Sequence, residues 1–328
     1  MAKPYDLFIS GYDTEAVNTL RLWSAKSTSG FNMDLFSKGE YVKSTENEAI
    51  ASSISKVLYP ADDKIEGKSL RLKQQYFFVS ASLQQITKEH YKKYGTFESF
   101  PDKAVIHIND THPSLCVPEL MRILMDDYGY VWDAAWDITA NSLAYTNHTV
   151  MSEALEKWPI DLVKSHLPRI YSIIEEINRR FCQFIYTNHP ELTASIDKMA
   201  IISEGMVKMA NLCIAGSYSV NGVSKLHSDI LKTDTFHNFN IVYPDKFTNV
   251  TNGITHRRWL CQANPLLSQL LTEKIGGGFK KSLSDIEKFN EFYNDEAVLS
   301  RLREIKKENK KRLADYIAQK NGIEVNCD

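Results

Sequence analysis

Apolar positions along the chain alternate between a helical period and short, nearly continuous runs. Residues 41–58 read as a helix that stops at Tyr59-Pro60, because proline cannot continue the hydrogen-bond ladder. Residues 61–67 are polar and turn-forming; Leu72, Tyr76, Val79 and Leu83 then fall at helical spacing within residues 69–91. Residues 104–108 form a compact apolar run, the pattern of a strand buried on both faces. His107 inside it reads as a hydrogen-bonded core residue. The run empties into Asn109-Asp110-Thr111-His112-Pro113, and residues 117–126 resume the helical period.

The same order recurs downstream. Residues 133–142 read as a helix leading into the strand-like Leu143-Ala144-Tyr145 and the polar Thr146-Asn147-His148-Thr149. Residues 159–186 form one long amphipathic stretch with Leu and Ile on one face. Residues 200–202 suggest another strand, and 207–231 are rich in small residues, as where a helix approaches a sheet closely. Residues 247–253 are strand-like and end on Thr251-Asn252-Gly253. Gly276-Gly277-Gly278 reads as a flexible break, 295–320 as a highly charged helix, and the first 35 residues as irregular. Helices alternating with short buried strands imply an α/β fold with a mostly parallel sheet. Ligands of such sheets sit at the carboxyl ends of the strands, where these polar loops fall.

Composition narrows the function more than the fold. With 328 residues, 43% hydrophobic and 24% charged, the chain reads as globular rather than disordered. Its net charge of −2 lacks the concentrated positive surface that nucleic acid requires. No window of about 18 apolar residues suggests a membrane span. The five cysteines (Cys116, Cys182, Cys213, Cys261, Cys327) are scattered without a Cys-x-x-Cys pair, which fits a reducing cytoplasm.

Three loops combine imidazole or amide groups with hydroxyls: Asn109-Asp110-Thr111-His112, Thr146-Asn147-His148-Thr149 and Thr251-Asn252-Gly253. Such groups donate to and accept from several hydroxyls at once, which suits a polyol such as a sugar. The competing account is that each loop is a helix cap or satisfied turn. Asp110, His112 and His148 could also begin a metal site, but no His-Glu-x-x-His or paired-carboxylate spacing accompanies them. Gly-x-Ser-x-Gly, Gly-x-Gly-x-x-Gly and Walker-type loops are absent. Trp132, Trp136 and Trp158 read as packing residues. Pattern alone reaches an α/β enzyme or binding domain for a polar small molecule.

These loops also carry a resemblance. The sequence resembles the α-glucan phosphorylases (glycogen, starch and maltodextrin phosphorylases) over nearly its whole length. The matching stretches include Asn18-Thr19-Leu20-Arg21-Leu22-Trp23-Ser24-Ala25-Lys26, Gly67-Lys68-Ser69-Leu70-Arg71-Leu72-Lys73-Gln74 and Asn109-Asp110-Thr111-His112-Pro113. Ala144-Tyr145-Thr146-Asn147-His148-Thr149, Glu153-Ala154-Leu155-Glu156-Lys157-Trp158 and Thr251-Asn252-Gly253-Ile254-Thr255 continue the match. The resemblance implies a Rossmann-like sheet forming the N-terminal half of a two-domain, glycosyltransferase-B-like architecture. Residues 1–254 would belong to a sugar-binding domain and 255–328 to a helical junction. A second domain, carrying the lysine for pyridoxal phosphate, would lie beyond this chain.

The implied reaction releases terminal α-1,4-glucosyl units with inorganic phosphate as glucose 1-phosphate, with the isolated chain inactive. The alternative is a non-catalytic glucan-binding module. By the same resemblance, His148 faces the glucosyl ring as the catalytic contact and Asn252 holds the 6-hydroxyl. Asp110 and His112 line the pocket, and Asp62 and Asp63 belong to a gating loop from which Asp63 also contacts the substrate. Asp63 stands where the family usually has Asn, and His256 where it usually has Pro. Nucleotide-activated members carry adjacent arginines at the positions of Lys88 and Glu89, so AMP activation is not expected. The helix near residues 41–55 would meet its twin across a homodimer interface.

Overall fold

A computed structural model of the chain describes residues 1–327; Asp328 lies outside the described residues. They divide into two compact units, one of residues 1–7 with 19–252, the other of residues 8–18 with 253 onward. The strands, in chain order, are β1 (Ala2–Ser10), β2 (Val17–Ala25), β3 (Ile106–Asn109), β4 (Leu143–Thr146), β5 (Lys157–Pro159), β6 (Ile202–Ser203), β7 (Met206–Lys208), β8 (Ser219–Gly222) and β9 (Phe247–Asn249).

The first unit is an α/β fold. Its central sheet runs β3-β4-β8-β9, with every neighbouring pair parallel. Asn109 aligns with Thr146, and Thr146 with Asn221, so three polar residues stand in one row where the strands end. Parallel neighbours need crossover connections, usually helical. Here the crossover from β3 to β4 contains the helices Cys116–Arg122 and Trp132–Ser142. The first of these is buried from Cys116 through Met121 and packs against the helices Ile65–Tyr94, Trp132–Ser142 and Pro168–Asn188. It is the centre of a core that includes Leu72, Leu83, Ile108, Tyr145, Ile173 and Val220. Each such side chain contributes about 1.5–3 kcal/mol on burial.

The helices expected at 41–58, 69–91, 133–142 and 295–320 appear as Tyr41–Lys56, Ile65–Tyr94, Trp132–Ser142 and Glu296–Asn321. Four expectations are corrected. Residues before 35 are not irregular, because β1 and β2 pair into a two-stranded sheet. Gly11 N–H on Ala16 C=O (2.8 Å) closes one end, and Lys26 N–H on Met1 C=O (2.9 Å) the other. The stretch 159–186 is two helices, Ile160–His166 and Pro168–Asn188, because Pro168 removes a donor and starts a new first turn. The segment 207–231 is a helix, Met209–Ala215, then β8, then a second helix, Lys225–Ile230. Lastly, β3 is an edge strand buried only in part. Ile108 is buried, whereas His107 is exposed rather than in the core.

In the second unit, Gly276, with φ of +77°, ends the helix Pro265–Ile275. The glycine triplet therefore marks a structured helix stop. His256 is buried there, with Nε2 3.3 Å from the Lys280 carbonyl, and Arg257 Nη1 donates to the same oxygen at 2.7 Å. The imidazole standing where the family usually has proline is thus hydrogen-bonded.

Candidate functional site

The site is built at the carboxyl ends of β3 and β4. Asp110 follows β3 with φ of +58°, a left-handed conformation that costs a non-glycine residue free energy. Its backbone N–H donates to the Thr146 carbonyl at 2.9 Å, and its Oδ1 accepts the Thr111 N–H at 2.7 Å. Tyr59, at the foot of the Tyr41–Lys56 helix, also has positive φ, +55°. Both line one cavity of about 610 Å³. Strain at two points of a single cavity is the kind that folds retain at functional sites.

The walls come from the Ile65–Tyr94 helix (Arg71, Gln75, Phe78), the end of β3 (His107, Asn109), the following loop (His112) and His148 after β4. Arg71 is the cation of the group. Its Nη1 bonds Asp62, its Nη2 donates to Glu156 Oε1 at 2.7 Å, and its guanidinium lies 5.9 Å from the Tyr59 ring and 5.8 Å from Trp158. Gln75 Nε2 donates to the same Glu156 oxygen at 2.9 Å. The Tyr59 and His112 rings meet edge to face, 5.7 Å apart.

Three lining residues keep a buried polar atom without a protein partner: Arg71 Nε, Gln75 Oε1 and His112 Nδ1. One donates, one accepts, and the imidazole nitrogen does either according to its tautomer. Leaving such atoms unpaired costs about 1–3 kcal/mol each.

Beside the cavity-lining His107, Thr146 Oγ1 donates its one proton to Asn221 Oδ1 at 2.6 Å. His107 Nε2 therefore donates to Thr146 Oγ1, and the row runs across three strands. His107 is thus hydrogen-bonded as the sequence suggests, but on the cavity wall.

Of the residues singled out in the sequence, Asp110, His112 and His148 share the cavity. Asp62 adjoins it through Arg71. Asp63 is exposed and does not line it; neither does Asn252, whose backbone N–H donates to the Val223 carbonyl at 3.0 Å. Sequence reasoning assigned no role to Arg71, Gln75, Tyr59 or Glu156. Arg71, Tyr59 and Glu156 fall in the matching stretches, and Gln75 stands only at i, i+4 from Arg71.

Among the described residues no group of three His, Cys, Asp or Glu side chains is gathered to hold a metal, and no helix is long and apolar enough to cross a membrane.

A family model described as carbohydrate phosphorylase matches residues 1–328. The chain belongs to the carbohydrate phosphorylase family. It is 46% identical to the muscle form of glycogen phosphorylase from Homo sapiens, 48% to glycogen phosphorylase of Bacillus subtilis (strain 168) and 44% to the human liver form. Each alignment takes in 99% of this chain, which spans about 40% of the length of those phosphorylases. The cavity residues do not fit the pyridoxal phosphate that the resemblance implies. None of them is a lysine, and the cation Arg71 is already paired with Asp62 and Glu156.

Proposed function

We propose that this chain is the sugar-binding portion of a glycogen or maltodextrin phosphorylase, which in its whole form transfers terminal α-1,4-glucosyl units to inorganic phosphate as a cytoplasmic homodimer. The observation that carries the reading is the gathering of Arg71, Gln75, Asp110, His112 and His148 as the polar lining of one cavity. A glucosyl ring supplies donors and acceptors around its rim and apolar C–H faces above and below, and Tyr59 and Phe78 offer matching apolar surface. In this reading His148 faces the ring as the catalytic contact, stabilising positive charge as the glycosidic bond breaks. Asp110 and His112 bind hydroxyls, Asn252 holds the 6-hydroxyl, and the loop with Asp62 and Asp63 gates entry. Residues 1–254 serve the sugar and 255–328 lead toward a further domain that holds the pyridoxal phosphate.

Five free cysteines support a reducing compartment. The second reading, a glucan-binding module without catalysis, shares the same pocket.

Titration of the isotope-labelled chain with glucose tests the pocket. Amide resonances of Asp110, His112 and His148 are expected to shift together, and Arg71→Ala to weaken binding about tenfold, the effect of one buried hydrogen-bonding group. Unmoved resonances at saturating glucose sink the sugar reading. The chain supplied with glycogen, phosphate and pyridoxal phosphate is expected to release no glucose 1-phosphate, because the hard chemistry belongs to the cofactor and its own residues.

A further inference from the structure

The loop bearing His148 is fixed from both sides. Asn147 N–H donates to the Asn221 carbonyl at 3.0 Å, and the Thr149 N–H donates to Asn147 Oδ1 at 3.0 Å. Asn147 is fully buried, and its Nδ2 donates to the Tyr145 hydroxyl at 3.1 Å. The same Oδ1 lies 3.0 Å from His227 Nε2, and His227 Nδ1 lies 3.1 Å from the Val223 backbone nitrogen. The Val223 carbonyl in turn accepts the Asn252 N–H at 3.0 Å. A continuous path of hydrogen bonds therefore joins Thr149, Asn147, His227, Val223 and Asn252.

Two backbone amides set every role along this path. A backbone N–H can only donate, so Thr149 fixes the Asn147 oxygen in place and Val223 requires His227 Nδ1 to be unprotonated. The ring proton then sits on Nε2 and donates to Asn147 Oδ1. An imidazolium would set a second N–H against Val223. Burial lowers the His227 pKa; a backbone hydrogen bond with Thr149 raises it and the neighbouring His148 lowers it, and the net shift is downward, toward the neutral ring.

We propose that His227, as the neutral Nε2–H imidazole, is a positioning residue that locks the His148 loop to the Val223 and Asn252 backbone, so that both sugar-contacting residues are placed by one side chain. The proposal rests on the sugar reading of the pocket, in which neither of its ends is useful without the other. His227 itself does not line the cavity. It acts through Asn147 and Val223, much as supporting residues orient a site from behind.

The test uses the whole chain in three forms: unaltered, His227→Phe and His227→Gln. Long-range proton–nitrogen spectra of the unaltered chain are expected to show His227 protonated at Nε2 and bare at Nδ1. His227→Phe removes the donor to Asn147 and is expected to shift the Thr149 and Asn252 amide resonances and weaken glucose binding about tenfold. His227→Gln restores an N–H donor near the Nε2 position and is expected to return the Thr149 resonance and most of the affinity, which a purely space-filling role would not predict. An Nδ1-protonated ring in the unaltered chain overturns the proposal. So do unchanged Thr149 shifts and affinity in the Phe variant. Should that variant fail to fold, the tautomer and the Gln variant decide. Failure of the unaltered chain to bind glucose overturns the pocket reading and the sugar half of the proposal, while the tautomer and the Thr149 resonance still decide the relay.

Discussion

Glu119 is a fully buried carboxylate, and its hydrogen-bond partners among the described residues are donors. Ser80 Oγ donates to Oε1 at 2.7 Å and the Tyr76 hydroxyl to Oε2 at 2.9 Å. The Arg122 guanidinium grips both oxygens, at 2.8 and 2.9 Å, and reaches on to Asp127. The guanidinium's pKa is raised, chiefly by its bond to Glu119, so it stays charged. Burial, with Glu119 beside it, pushes the Tyr76 phenol up to about 12, so it stays a donor. A charge this deep holds only because it is fully paired. Glu119→Ala strands an arginine, a tyrosine and a serine at once, and is expected to lower unfolding free energy by about 3–5 kcal/mol. Urea denaturation reads this directly; a loss below about 1 kcal/mol, the scale of a surface pair, would show that the network contributes little. At this scale the sequence was uneven as a guide. Asp110, His112 and His148 were legible because a short apolar run announces a strand, and the polar residues after it mark the strand's end. Arg71 and Glu119 were not. Their partners lie far along the chain, Glu156 for Arg71 and Tyr76 and Ser80 for Glu119, and a helical period says only which face is buried.

The elements were most legible where one face of a helix is buried, as in Ile65–Tyr94, with Leu72, Val79 and Leu83 inside. The β1–β2 pair was not, because most of its residues are exposed and it is the end of β2, at Arg21 and from Trp23 to Ala25, that turns inward. Leu167-Pro168 broke a stretch whose apolar face runs straight through it, since amphipathicity does not register a missing backbone donor. Glycine carries a similar constraint at the start of the Ile65–Tyr94 helix. A Cβ on Gly67 would lie 1.8 Å from the Ala61 carbonyl oxygen, so the 61–64 loop folds onto the first helical turn only because that position has no side chain. Helix propensity alone favours alanine there by about 1 kcal/mol. The clash reverses the sign. Gly67→Ala is expected to destabilise by about 1–3 kcal/mol and to pull Asp62 away from Arg71. Thermal denaturation of the variant measures the first effect, and an Arg71 side-chain resonance the second. A variant more stable than its parent would mean that the loop gives way freely.

At the scale of the molecule, the parallel order β3-β4-β8-β9 places the polar strand ends together, which is why an α/β reading of the sequence points to the same candidate site. The same scale explains the Tyr41–Lys56 helix. Across its sixteen residues Ser44 alone is buried, while Val42 is 83% exposed, Tyr41 61% and Ile50 59%. A helix that buries so little of itself gains only modest tertiary stabilisation, although its length is near the lower limit for helices standing alone in water. Contact with a second copy would supply what is missing, and a partly polar face suits an interface better than a core. A two-fold arrangement would bring Tyr41, Val42 and Ile50 of one copy against the same residues of the other. The chain is therefore expected to form a homodimer whose dissociation is promoted by Val42→Asp together with Ile50→Asp, with little change in the fold because both side chains already face water. Light scattering across a range of micromolar concentrations distinguishes the outcomes. A mass of two chains that falls to one in the double variant places the helix at the interface. A mass of one chain that persists as concentration rises removes the dimer for these 328 residues, and a dimer indifferent to both substitutions places its interface elsewhere.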